Sequence, residues 1–167
     1  MAKIKAVALD VDGVLTDGTF WWGSAGEEFK RFSFRDIMGI SLGRKAGLIF
    51  ALISGETSPL IERFASKMQI TDIYQGCKDK AAALNQFAQG RGLALANVCF
   101  MGDDVNDLGA LGIAGLSAAP ADAHEKVLGQ VQRVLARPGG RGAVRELIDG
   151  LLAEQAVGPQ GKLRQEA

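Results

Sequence analysis

The fold class that the sequence predicts is α/β: a Rossmann-like parallel sheet with helices on both faces, plus a protruding β-hairpin. Three observations predict it. Short apolar runs alternate along the chain with segments of helix length and pattern. The residues that follow those runs are small, hydroxylic or acidic, as at Asp10, Ser54 and Gly102-Asp103-Asp104, which is how strands of such sheets end. With 167 residues, 47% of them hydrophobic and 23% charged, the chain is long enough to bury the core of one domain.

The elements follow in order. Ile4 to Leu9 reads as a buried strand ending at Asp10-Val11-Asp12-Gly13. Residues 18–34 read as the hairpin: Thr19 to Trp22, a turn at Gly23-Ser24-Ala25-Gly26, then Glu28 to Phe34 with alternating phenylalanines. Asp36 is expected to cap a helix to Lys45 that Gly47 stops. Leu48 to Ile53 is a second buried strand, and Ser58-Pro59 opens a helix to Met68. Asp72 to Tyr74 is a short strand, Lys78 to Gln89 an alanine-rich helix, and Val98 to Met101 a strand followed by a helix to Leu111. Ile113 to Ser117 and Arg133 to Leu135 are expected to be strands with a helix from Ala121 between them, and Arg141 to Ala153 a last helix. Residues 1–156 form one domain on this reading, and 157–167 a polar tail.

Lysine plus arginine equals aspartate plus glutamate at 19 each, which gives no support for a nucleic-acid or membrane-surface partner. The longest apolar run is too short to span a bilayer, and the N-terminus has no signal-peptide core. Cys77 and Cys99 have no metal-ligand spacing and read as reduced thiols, so a cytoplasmic enzyme is expected. His124, the single histidine, reads as a surface residue.

Chemistry concentrates at the strand ends. Side chains alternate along a strand, so Asp10 and Asp12 point the same way while Val11 points into the core. Singly, strand-end aspartates such as Asp104 and Asp107 are helix caps as often as anything else. Asp10, Asp12, Asp103, Asp104 and Asp107 together would repel one another at one edge without a cation, and crowded oxygen ligands suit a hard ion, above all Mg²⁺.

Asp10-Val11-Asp12-Gly13-Val14-Leu15-Thr16-Asp17-Gly18 resembles the first motif of the haloacid dehalogenase superfamily. Ser54 resembles its second, Lys80 its third, and Gly102-Asp103-Asp104-Val105-Asn106-Asp107 its fourth, over residues 4–150. The resemblance implies that Asp10 is the nucleophile and Asp12 the acid/base partner of a phosphatase. It implies Mg²⁺ held by Asp10, the backbone carbonyl of Asp12 and Asp103, with Asp104 and Asp107 behind them. Ser54 with Gly55, and Lys80, would hold the transferring phosphoryl oxygens.

Too few residues lie between Asp12 and Ser54, or between Ser54 and Lys80, for the inserted cap domain usual in that superfamily. An open site is wet, so either the substrate is large or other subunits cover it. The aromatic hairpin, with Phe20, Trp21, Trp22, Phe29, Phe32 and Phe34, supports subunits, because a two-stranded hairpin does not bury both faces by itself. Gly26-Glu27-Glu28, Phe34-Arg35-Asp36, Gly39-Ile40, Tyr74-Gln75-Gly76 and Gly139-Gly140-Arg141-Gly142-Ala143-Val144-Arg145-Glu146 are similar to stretches of the capless sugar-acid phosphatases of that superfamily. That likeness implies a homotetramer joined through the hairpin, with the site closed by a neighbour and by the glycine-rich segment, whose glycines let backbone approach the substrate.

The substrate class it implies is the phosphate ester of a 2-keto-3-deoxy sugar acid of eight or nine carbons. Arg35 and Arg141 are similar to the octulosonate 8-phosphate phosphatases; Glu56 with Lys67 is similar to the nononate 9-phosphate phosphatases. For Glu56 and Lys67 an ordinary place at a helix start and on a helix surface weighs equally. Two other classes compete. A signalling receiver domain also clusters aspartates and a lysine, but Asp12 and Ser54 argue against it. An idle regulatory subunit has no need of Asp10, Asp12, Lys80 and Asp103 together.

Overall fold

A computed structural model describes residues 2–157. Six strands form one parallel sheet: β1 (Ala6–Leu9), β4 (Ile49–Ile53), β5 (Asp72–Tyr74), β6 (Val98–Met101), β7 (Leu116–Ala119) and β8 (Arg133–Val134). Two short strands, β2 (Trp21–Trp22) and β3 (Glu28–Phe29), pair separately and antiparallel. The order across the large sheet is β5-β4-β1-β6-β7-β8. From β1 the chain fills one side through β4 and β5, then crosses to β6 and fills the other. β1 therefore sits where the winding reverses, and crevices at that point are where such sheets bind ligands.

Alternation along β1 sorts the two cores. Val7 and Leu9 join the cluster with α1 (Phe34–Lys45), α2 (Pro59–Met68) and α6 (Ala143–Val157). Ala6 and Ala8 face the other cluster, with α3 (Lys80–Gly90), α4 (Leu108–Ile113) and α5 (Glu125–Leu128). Small residues on the second face let α3 lie close to the sheet, and complete burial of strand residues on both faces explains their unbroken apolar runs. Helices α1 and α6 approach closely for a similar reason. A Cβ on Gly39 would lie 2.8 Å from the Arg145 backbone, and one on Gly43 2.8 Å from the Phe50 ring.

Several expected elements take other bounds. Ser33, not Asp36, caps α1, its side chain accepting from the Arg35 N–H. Asp36 is buried and instead accepts from the backbone N–H groups of Gly142 and Arg145 at 3.1 and 2.9 Å, capping α6 from across the fold. The strand expected at Ile113 to Ser117 begins at Leu116, because Ile113 ends α4. The helix expected from Ala121 is only the four residues of α5. The last helix begins two residues after Arg141 and runs on to Val157. The tail beyond Val157 lies outside the described residues.

The hairpin is shorter than expected. Only Trp21–Trp22 and Glu28–Phe29 pair, after which the chain peels away. Lys30 and Arg31 turn to the carboxylates of Asp12 and Asp17, and Phe32 stacks on Phe64 of α2 at 4.3 Å. Trp21 and Trp22 stay 70% and 73% exposed. Among the described residues nothing larger than this hairpin and α1 separates Asp12 from Ser54, and no helix is long and apolar enough to cross a membrane.

Candidate active site

The carboxyl ends of β1, β4 and β6 lie side by side, paired by β1 with both neighbours. They deliver Asp10, Ser54 and Gly102-Asp103 to one edge, where Asp10, Asp12, Gly18, Ser54, Gly55, Glu56, Lys80, Asp103, Asp104 and Asn106 line a cleft of about 260 Å³. Of the residues singled out from the sequence, Asp10, Asp12, Ser54, Gly55, Glu56, Lys80, Asp103 and Asp104 thus come together.

Lys80 is the hub. It is the first residue of α3, whose N-cap Asp79 accepts from the Ala82 N–H. Its side chain, 1% exposed, places Nζ 2.8 Å from Asp10 Oδ1 and 2.6 Å from Asp107 Oδ1. Burial works against the ammonium, but Asp10 and Asp107 outweigh it and raise its pKa, so Lys80 is a fixed positive charge. Asp107 spends its second oxygen on the backbone N–H groups of Asp103 and Asp104. It therefore fixes both Lys80 and the loop after β6. Asp104, exposed, caps the short 3₁₀ turn at Val105–Asp107, and its side chain and that of Asp107 form a reciprocal capping box.

Carboxylate oxygens of Asp10, Asp103 and Asp107 all lie within 4.8 Å of one another. Three carboxylates against one ammonium leave two formal negative charges in a buried place. Burial, then the charge of Asp107, pushes Asp10 up to about 6, while Lys80 pulls the other way. Burial, then the charges of Asp10 and Asp107, pushes Asp103 up to about 8. Asp103 Oδ1 is buried with no hydrogen-bond partner among the described residues. A buried orphan oxygen among carboxylates that burial and mutual repulsion hold back from ionising fits a divalent cation bound through oxygen. Asp10 and Asp103 have oxygens to give; Asp107 has committed both of its own.

The loop after β1 is shaped by its glycines. Gly13 has φ +92°, and a Cβ there would fall 2.0 Å from Asp103 Oδ2. Only glycine lets the loop pass beside that carboxylate. The glycine-rich segment packs on the same loop: a Cβ on Gly139 would lie 1.8 Å from the Gly13 carbonyl oxygen, and the Gly140 N–H donates to the Val14 carbonyl at 2.9 Å. Within this chain the backbone that Gly139 and Gly140 admit is that of the loop after β1. His124 caps α5 through Nδ1, and its N–H donates to the Asp103 carbonyl, supporting the site from behind.

Arg35, Lys67 and Arg141 do not line the cleft. Arg141 reaches only to 3.9 Å from Asp17, Lys67 lies over the Phe34 ring at 5.9 Å, and Arg35 Cδ is near Gly142. Sequence reasoning missed Lys30, whose Nζ lies 2.6 Å from Asp12 Oδ1, and Asn106 in the cleft wall. No local pattern marks Lys30: strand pairing ends at Phe29, and its partner lies 18 residues away.

Fold and centre define an α/β protein whose acidic strand edge fits a divalent cation. The sequence profile of the haloacid dehalogenase-like hydrolases matches residues 36–146. The chain is 40% identical over 153 residues to the 3-deoxy-D-manno-octulosonate 8-phosphate phosphatase KdsC of Escherichia coli K12, an alignment covering 92% of this chain and 81% of that one. It superposes with TM-score 0.88 and 34% identity on the corresponding phosphatase of Moraxella catarrhalis in complex with magnesium, phosphate and KDO, covering 90% of this chain and 87% of that one. With the cobalt-bound octulosonate 8-phosphate phosphatase of Haemophilus influenzae the TM-score is 0.89 at 36% identity, over 95% and 94% of the chains. The chain belongs to the haloacid dehalogenase-like hydrolase family, and its enzyme class is phosphatase.

Proposed function

We propose that this chain is a Mg²⁺-dependent phosphatase acting on 3-deoxy-D-manno-octulosonate 8-phosphate through a phosphoryl group carried on Asp10. The observation that supports the chemistry is the Asp10 carboxylate, held at 2.8 Å by a buried lysine, beside an orphan Asp103 oxygen. The substrate rests on the relatives of about 40% identity.

An oxygen of Asp10 attacks phosphorus as the bond to the sugar oxygen breaks, and Asp12 gives that oxygen its proton. Asp12 then takes a proton from water, which attacks phosphorus and frees Asp10. Ser54, the Gly55 backbone and Lys80 hold the phosphoryl oxygens meanwhile. Asp10, Asp103 and the Asp12 carbonyl would hold the cation, which supplies neutralisation of the charge that otherwise repels the attacking carboxylate. Asp107 and Asp104 act behind them by fixing Lys80 and the loop.

The exposed aromatic hairpin supports a homotetramer in which neighbours cover the open cleft and bring Arg35, Arg141 and Lys67 toward the sugar acid. Residues 1–156 act as one domain, with the hairpin 18–34 as the contact, and the free thiols Cys77 and Cys99 suit the cytoplasm.

Phosphate release with Mg²⁺ is to be measured from octulosonate 8-phosphate, nononate 9-phosphate and hexose phosphates. Octulosonate 8-phosphate is expected to give the highest kcat/KM, and Asp10→Asn to remove at least about 10⁴-fold of it. A preference for the nine-carbon ester would transfer the assignment to Glu56, which lines the cleft. Equal rates on all three would overturn the substrate; substantial turnover by Asp10→Asn would overturn the mechanism.

A further inference from the structure

Lys30 follows β3 and turns inward although its neighbours on the hairpin face solvent. Its side chain is only 2% exposed, and Nζ sits 2.6 Å from Asp12 Oδ1, 3.7 Å from a Glu28 carboxylate oxygen and 5.6 Å from the Phe20 ring centroid. Closed contacts of this kind differ from surface ion pairs, which water and side-chain motion weaken. The other oxygen of Asp12, Oδ2, is buried and has no hydrogen-bond partner among the described residues.

A carboxylate at a strand end is free to rotate and exchange its two oxygens. Lys30 removes that freedom by holding Oδ1, which leaves Oδ2 as the oxygen open to proton transfer. We propose that Lys30 is a positioning residue that fixes the Asp12 carboxylate so that Oδ2 carries the proton between the enzyme and the leaving oxygen. The inference rests on the acid/base role of Asp12 proposed above. In the first half-reaction the Asp10–phosphorus bond forms and the bond from phosphorus to the sugar oxygen breaks. That oxygen keeps the bonding pair and receives the proton from Asp12 Oδ2, while Oδ1 stays on Lys30. The hairpin thereby has a part in the chemistry of its own chain, distinct from its exposed aromatic face.

The test compares two esters in the magnesium-loaded enzyme. The sugar-acid phosphate releases an alkoxide that needs a proton, whereas p-nitrophenyl phosphate releases a phenolate that does not. kcat/KM covers the steps through release of that first product. Lys30→Met, which keeps the apolar stem, is expected to lower kcat/KM for the sugar ester about 10–100-fold, the scale of a misplaced catalytic group. It should change the aryl ester less than about threefold, since no general-acid contribution is lost there. Lys30→Arg, which keeps charge and donors, should recover most of the sugar-ester activity. Equal losses on both esters, no loss on either, or an arginine variant no better than methionine would overturn the proposal. Asp12→Asn separates the two levels of the account. If it shows the sugar-selective loss and Lys30→Met does not, only the positioning role falls; if it shows none, the acid/base role falls with it.

Discussion

The depth of the cleft and its rim are built differently. In the depth, Asp10, Lys80, Asp103 and Asp107 stand on strand ends and a helix start, and Lys80 holds two carboxylates at 2.6–2.8 Å inside a buried centre. Arg35, Lys67 and Arg141, by contrast, stand outside the lining of the cleft, and the hairpin leaves its tryptophans in solvent. The contrast teaches that one chain suffices to assemble the buried charges, whereas the arginines and lysine singled out for the substrate reach that cleft only on the proposal that a neighbour completes it. Fixed charges in a buried place need no rearrangement during reaction. Recognition spread over exposed arginines loses side-chain freedom when substrate arrives.

The largest effect is expected at the hub. Lys80→Ala leaves the buried carboxylates of Asp10 and Asp107 without their cation, which costs roughly 3–5 kcal/mol of stability by urea titration. Its kcat should fall about 10³-fold, the scale of losing one preorganised charge at the reacting group. Wild-type stability in this variant would break the claim that the depth is held by charge pairing. At the rim the effect is smaller on the fold and falls on assembly. Trp22→Glu should change the unfolding free energy by less than about 0.5 kcal/mol, as exposed positions do. Sedimentation should show it dissociating the proposed homotetramer, with kcat/KM for the sugar ester falling in step. A wild-type assembly carrying that substitution would remove the hairpin from the interface.

The same division explains what the sequence disclosed. Strand-end positions are local: an apolar run followed by Asp-x-Asp, by Ser-Gly or by Gly-Asp-Asp fixes where Asp10, Asp12, Ser54 and Asp103 go once the sheet is parallel. Lys80 was legible because it opens a helix after a short strand. Contacts between distant segments were not. Lys30 meets Asp12 across 18 residues, and Asp36 caps α6 across more than 100, and no local pattern separates Asp36 from Ser33 as the cap of α1. Ile113 fits a strand as well as the helix end it occupies, because a short apolar run reads alike in both. Gly139 and Gly140 stand out in the sequence, but what they approach is set by tertiary packing on Gly13 and Thr16.

The central claim is that the depth of the cleft is short of positive charge until a divalent cation binds. Burial and its neighbours push Asp103 up to about 8, so above that pH the folded metal-free protein carries a carboxylate that the unfolded chain ionises more readily, near 3.8. A raised acid pKa means stability present at low pH and lost as pH rises toward that value. Thermal melting of wild type and Asp103→Asn at a pH above 8, with and without Mg²⁺, tests this directly. Without metal, Asp103→Asn should melt higher, by about 0.5–2 kcal/mol of stability, as relieved active-site strain commonly gives, and it should lack phosphatase activity. Mg²⁺ should raise the melting temperature of wild type and leave the variant almost unmoved. A variant that melts below wild type without metal, or that gains as much from Mg²⁺, would contradict the account.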